Sequence, residues 1–220
     1  MSNKQNPISD RKIRDGKIDD LLFQTGTLMF LLKESNTSDG NEQSDNYFWF
    51  SEVVKTKSCG AYYNEPFKAL DKNQIKNAKC GQTRYYNFLN GICKRLNFDI
   101  RKCSYVNLNP IGGGAEESDK YKENVQLFLT EKKRQIIELA PKAIICCGTY
   151  EIFKNNFSDS ILKSTDNGAV IKMGDKNFII IQAKHPTNRK ISNKTDWERI
   201  SATYNQLNNL SVNNKTVINT

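Results

Sequence analysis

Apolar residues gather in four short runs along the chain, at 28–32, 103–108, 143–147 and 178–181. Each is too short for a helix and rich in β-branched or aromatic side chains, so each predicts a strand. Between the runs, apolar positions return at helical spacing. Tyr85, Phe88, Leu89, Ile92 and Leu96 mark one helix face before the second run, and Val125, Phe128, Leu129, Ile136 and Leu139 mark another before the third. Pro141 ends that second helix and leads into the strand. Strands alternating with helices predict an α/β protein: three layers, α/β/α, around a central, mainly parallel four-stranded sheet with right-handed crossovers. The 220 residues suit one domain spanning 1–220, with loose polar ends at about 1–16 and 211–220.

Composition narrows the class. With 37% hydrophobic and 26% charged residues the chain is polar yet able to bury a core, which excludes wholesale disorder. No apolar run approaches the ~20 residues that span a bilayer, and the amino terminus has no apolar signal region, so a cytoplasmic protein is expected. The net charge is +9, concentrated between positions 55 and 102, where eleven Lys/Arg face three acids. Tyr62, Tyr63, Tyr85, Tyr86 and Phe88 are interleaved with them. Cations neutralise phosphates and aromatic faces stack on unpaired bases, a mixture that suits DNA or RNA. A solvated helix face with aromatics buried on its reverse side produces the same pattern. A membrane partner fits less well, since no amphipathic membrane helix accompanies the charge. The six cysteines, at 59, 80, 93, 103, 146 and 147, contain no C-x-x-C pair, which disfavours zinc and iron–sulfur sites and predicts reduced, buried thiols. Cys146 and Cys147 point to opposite faces if their run is a strand.

In open α/β sheets ligands bind beyond the carboxyl ends of the strands. The segments at or after the ends of the four runs carry Lys33-Glu34-Ser35-Asn36-Thr37, then Asn107 with Gly112-Gly113-Gly114, then Gly148, then Lys184-His185-Pro186-Thr187-Asn188-Arg189. A carboxylate, carboxamides, the chain's single histidine and cations therefore converge on one predicted rim. Taken singly, each has a plainer role as a cap, turn residue or surface charge. The glycine run allows close backbone approach, so its amides can line an anion. No Gly-Lys-Ser/Thr follows it, it departs from the dinucleotide fingerprint, and no G-x-S-x-G exists for a nucleophilic serine.

These segments, in this order, resemble the uracil-DNA glycosylase superfamily over most of the chain, from about Leu28 to Leu210. Phe30 to Asn36 is similar to the first motif, which holds the residue that activates or positions water. Tyr105-Val106-Asn107-Leu108 resembles the strand whose asparagine reads a flipped base, and Pro141 to Gly148 the central strand ending in glycine. His185-Pro186-Thr187 resembles the His-Pro-Ser motif, with Arg189 at the position of the side chain that wedges into the duplex. The resemblance implies a uracil-DNA glycosylase-like fold and a monofunctional DNA glycosylase acting without cofactor or metal. Hydrolysis of an N-glycosidic bond needs a stabilised oxocarbenium-like sugar, a held water and an accommodated anionic base. Glu34, with Asn36, would handle the water. His185 would hydrogen-bond the departing base, and Asn107 would match its Watson–Crick edge. Phe48, from the Tyr47–Phe50 aromatics, would stack on it, and Ser35, Thr37 and Gly148 would complete the pocket. Lys33, Gly112, Gly113, Gly114, Lys184, Thr187, Asn188 and Arg189 would contact DNA whose target nucleotide is flipped out.

The first motif departs from the better-known uracil enzymes, which carry aspartate followed by Pro-Tyr where this chain has Ser35-Asn36-Thr37 with Glu34 as sole carboxylate. The sequence also resembles a divergent branch of the superfamily associated with antiviral defence, which implies removal of glucosylated hydroxymethylcytosine from phage DNA. Uracil removal in base excision repair, and a catalytically silent DNA-binding module, are the alternatives.

Overall fold

The computed structural model describes residues 16–18, 21–36, 81–113, 119–186, 188 and 190–212. Its elements follow in the order β1 (Gly16–Lys17), β2 (Leu28–Asn36), α1 (Gly81–Arg95), β3 (Ser104–Gly113), α2 (Asp119–Leu127), α3 (Leu129–Leu139), β4 (Ala143–Cys147), α4 (Tyr150–Phe157), β5 (Ser160–Thr165), β6 (Gly168–Met173), β7 (Lys176–Ala183) and α5 (Asn193–Val212).

All four apolar runs are strands, and they are parallel neighbours: β3 pairs with β2, β2 with β4, and β4 with β7. The sheet is larger than the four strands expected. Among the described residues it has seven, ordered β1-β3-β2-β4-β7-β6-β5. It is mixed, because β1 lies antiparallel on β3 at one edge and the β5-β6-β7 meander is antiparallel at the other. Two-residue connections build the meander, Asp166-Asn167 before Gly168 and Gly174-Asp175 before Lys176. Gly174 supplies the positive φ, 61°, that such a tight turn favours. Edge strands show weak apolar patterning: Ile161 and Leu162 on β5 are exposed.

Helices cover both faces. Leu28, Phe30, Leu32, Ala143, Ile145, Cys147, Ile179 and Ile181 pack with Phe88, Leu89 and Ile92 of α1 and Ile200, Tyr204 and Leu207 of α5. The alternate residues Met29, Leu31, Ile144, Cys146 and Ile180 pack with Tyr121, Val125, Ile136, Leu139, Phe153 and Phe157 of α2, α3 and α4. The period-two alternation of fully covered strands thus builds two cores, and Cys146 and Cys147 do lie on opposite faces. The helix expected before β4 is interrupted at Phe128, where α2 closes with Phe128 N donating to Asn124 O. One buried stripe nevertheless runs through both parts, at Tyr121, Val125, Phe128, Lys132, Ile136 and Leu139.

Three expected boundaries are corrected. Gly16, at the edge of the end read as loose, pairs with Tyr105, and Lys17 beside it with Ser104. Ser211 and Val212 continue α5. The segments read as loops after the first two runs are strand: β2 continues through Lys33, Glu34, Ser35 and Asn36 because β3 extends beside it to Gly113. Gly112 and Gly113 accordingly lie in a strand rather than a free loop, and Gly114 is outside the described residues. Among the described residues no helix is long and apolar enough to cross a membrane.

Candidate functional site

α1, the next described element after β2, packs on one face of the sheet and α4, which follows β4, packs on the other, so the topological switch point lies at the carboxyl ends of β2 and β4. Thr149 stands there. Its Oγ1 donates to Leu31 O at 3.1 Å, tying the exit of β4 to β2 across the switch.

The strand register brings the expected segments to this rim. Leu32 lies opposite Asn107, Glu34 opposite Asn109 and Asn36 opposite Gly113, with a register irregularity between Glu34 and Asn36 where Ser35 sits. Asn107 and Asn109 are both buried, 3% and 1% exposed. Two residues apart on a strand, they share the side of the sheet that Tyr105 presents to the α1/α5 core. On the other flank Cys147 lies opposite Ala183, so Gly148 and Lys184 are the next residues outward, and Gly148 N donates to Ala183 O at 2.9 Å.

Gly148 needs to be glycine twice over. Its φ is +72°, and a Cβ there would lie 3.3 Å from Cβ of His185. The glycine after the third predicted strand and the histidine after the fourth are therefore close neighbours, with no room between them for a side chain at 148. His185 is largely buried, and that burial, with the positive charge of Lys33 as the second cause, lowers its pKa to about 4. Lys33 carries its ammonium 5.9 Å from the ring centroid of buried Tyr121. At neutral pH the site thus combines an uncharged imidazole, which donates from one nitrogen and accepts at the other, with a lysine close enough to bias it.

Among the described residues, Lys184 and Asn188, also expected to touch DNA, make hydrogen bonds within the protein. Lys184 Nζ donates to Asn188 O at 3.1 Å and to Ile191 O, and stands 5.3 Å from the Phe88 ring centroid. The ammonium is turned into the loop. Burial lowers its pKa, opposed by the charge of Asp196. Asn188 is exposed, donates its amide to His185 O at 2.8 Å and accepts from Lys190 N at Oδ1 at 2.9 Å. Thr37, Phe48, Thr187 and Arg189 lie outside the described residues, as do Cys59, Cys80 and positions 55–80 of the basic region. In the described part of that region Phe88 is core, Tyr86 packs against it, Arg95 meets Glu198 at 3.5 Å and Arg101 meets Asp99 at 2.8 Å. There the pattern is that of a solvated face over buried aromatics.

Sequence reasoning assigned no role to Asn109, Thr149 or Asp196. The period-two step from Asn107 was the available signal for Asn109; nothing local marks the other two. No three His, Cys, Asp or Glu side chains among the described residues gather into a metal-binding group. The described cysteines are buried, and burial pushes the thiols of Cys93, Cys146 and Cys147 up, away from the reactive thiolate. The fold is that of an open α/β sheet with its topological switch point between β2 and β4. No protein-family model and no curated protein matches the chain.

Proposed function

We propose that this protein is a monofunctional DNA glycosylase of the uracil-DNA glycosylase type, hydrolysing the N-glycosidic bond of a flipped, modified pyrimidine. The natural substrate in this reading is hypermodified, glucosylated cytosine in phage DNA. The observation that supports the proposal is the placing of His185 close beside Gly148 at the switch point, with burial and the Lys33 charge lowering the imidazole pKa to about 4. A neutral N–H donor stabilises negative charge that grows on a departing base without first giving up a proton, and the nearby Lys33 charge adds to that field. Buried carboxamides at Asn107 and Asn109 on the same rim suit the donor–acceptor edge of a pyrimidine. The net charge of +9 suits a polyanionic partner. In this scheme Glu34 and Asn36, on the adjacent strand, manage the attacking water.

Purified full-length protein would be incubated with matched oligonucleotides containing cytosine, uracil, hydroxymethylcytosine or its glucosylated form, followed by mild alkali to cleave abasic sites. Strand cleavage at the glucosylated base, abolished in His185→Ala, is the expected result. Cleavage confined to uracil returns the protein to base excision repair. Salt-sensitive binding with no abasic sites on any substrate sinks the enzymatic reading and leaves a binding module.

A further inference from the structure

Lys184 and His185 sit in a loop whose construction is unusual. Asp196, in the first turn of α5, is a carboxylate only 1% exposed, and its Oδ2 accepts the amide of Lys184 at 3.0 Å. Its Oδ1 accepts from Arg199, with Nε at 3.1 Å and Nη2 alongside. Arg199 Nη1 continues to Asn167 Oδ1 at 3.0 Å in the β5-β6 turn, whose carbonyl takes Gln182 N of β7 at 2.9 Å. At the far side the Lys184 ammonium crosses the loop to the carbonyls of Asn188 and Ile191. Asn188 N then returns to His185 O. Ser192 Oγ accepts Thr195 N at 3.1 Å, capping α5 where the loop ends.

We propose that Lys184 and Asp196 are positioning residues: together they clamp the loop of residues 184–191 between β7 and α5 and so hold His185 against Gly148. Burying a lysine amine and a carboxylate is costly unless each is fully hydrogen-bonded. Here both are tied to the backbone of one short loop, so their energy goes into its shape. The clamp stands on the loop's own geometry; its consequence for catalysis rests on the glycosylase reading, in which a displacement of ~1 Å at a reacting group costs on the order of 100-fold in rate.

His185 is the chain's single histidine, so its imidazole signals are read by nuclear magnetic resonance without assignment. Lys184→Met keeps the apolar stem beside Phe88 and removes only the amine; water replaces it at the carbonyls of Asn188 and Ile191, both exposed residues. The expected result is a shifted and broadened His185 signal in a protein that still unfolds cooperatively, with recovery in Lys184→Arg, whose guanidinium also spans two carbonyls. Asp196→Asn should move the signal as well. An unchanged imidazole signal in folded Lys184→Met overturns the proposal. If that variant does not fold, the Arg and Asn variants decide, by recovery and shift respectively. In the excision assay Lys184→Met should lower the single-turnover rate ~10- to 100-fold with DNA affinity and its salt dependence unchanged. A salt slope reduced by about 1 with an unmoved imidazole would instead make Lys184 a phosphate ligand and overturn the clamp. Wild-type protein that excises nothing refutes the glycosylase reading alone, and the imidazole signal still decides this one.

Discussion

Protonating His185 should measurably destabilise the protein. Burial, and secondly the charge of Lys33, take the imidazole pKa from an ordinary 6.5 in the unfolded chain to about 4 in the folded one. Between those values the unfolded chain holds a proton that the folded protein refuses. Stability therefore falls as pH drops from 6.5 toward 4, and the penalty is complete below the folded value. At ~1.4 kcal/mol per pH unit, the gap amounts to ~3 kcal/mol. The measurement is urea denaturation of wild type and His185→Gln at pH 7 and pH 4, where carboxylates titrate alike in both proteins and cancel. The wild type should lose ~3 kcal/mol more than the variant on acidification. The same imidazole, followed by its resonance in the folded protein, should titrate with a midpoint near 4. A midpoint near 6.5, with the two proteins separated equally at both pH values, would refute the account of a buried neutral histidine.

Three further outcomes are expected. Lys33→Met should raise the His185 midpoint toward 6.5 without reaching it, since burial is the larger cause; an unmoved midpoint means the ammonium does not reach the imidazole. Gly148→Ala forces an L-residue to φ +72° and sets a methyl 3.3 Å from His185 Cβ, so urea titration should show a loss of ~1–3 kcal/mol together with a moved imidazole signal. Gly91→Ala would put a Cβ 2.2 Å from the Trp197 ring where α1 crosses α5; a loss of ~3 kcal/mol or more and a changed tryptophan emission are expected, and wild-type stability would mean the helices are not so closely packed.

How much of this was legible depended on burial. The four parallel strands are covered on both faces and read as continuous apolar runs, so pattern alone found them. Strand β5 escaped notice because it is an exposed edge; β6 is buried and was missed although its Ala169-Val170-Ile171 run and the hairpin signals Asn167-Gly168 and Gly174-Asp175 were in the sequence. The continuation of β2 from Lys33 to Asn36 had no apolar mark at all: polar residues take strand form there because β3 runs beside them. At the rim, the closeness of His185 to Gly148 follows from which strands are neighbours, a fact that chain order does not contain. Lys184 is a second case. In sequence it is one more cation beside a histidine, and only the arrival of Asn188, Ile191 and Asp196 turns its amine inward.

By itself the sequence determined the α/β class, the four central strands, the two-faced burial of Cys146 and Cys147, and the polar segments that lie beyond the apolar runs. These are local or periodic properties: side-chain shape, alternation and the punctuation of proline and glycine act on near neighbours. Tertiary structure alone decided the strand order, the switch point between β2 and β4, the lowered pKa of His185 and the inward turn of Lys184. Each of those depends on groups distant in the chain meeting in a medium from which water has been removed, where a charge or a hydrogen bond counts for far more than it does in solution.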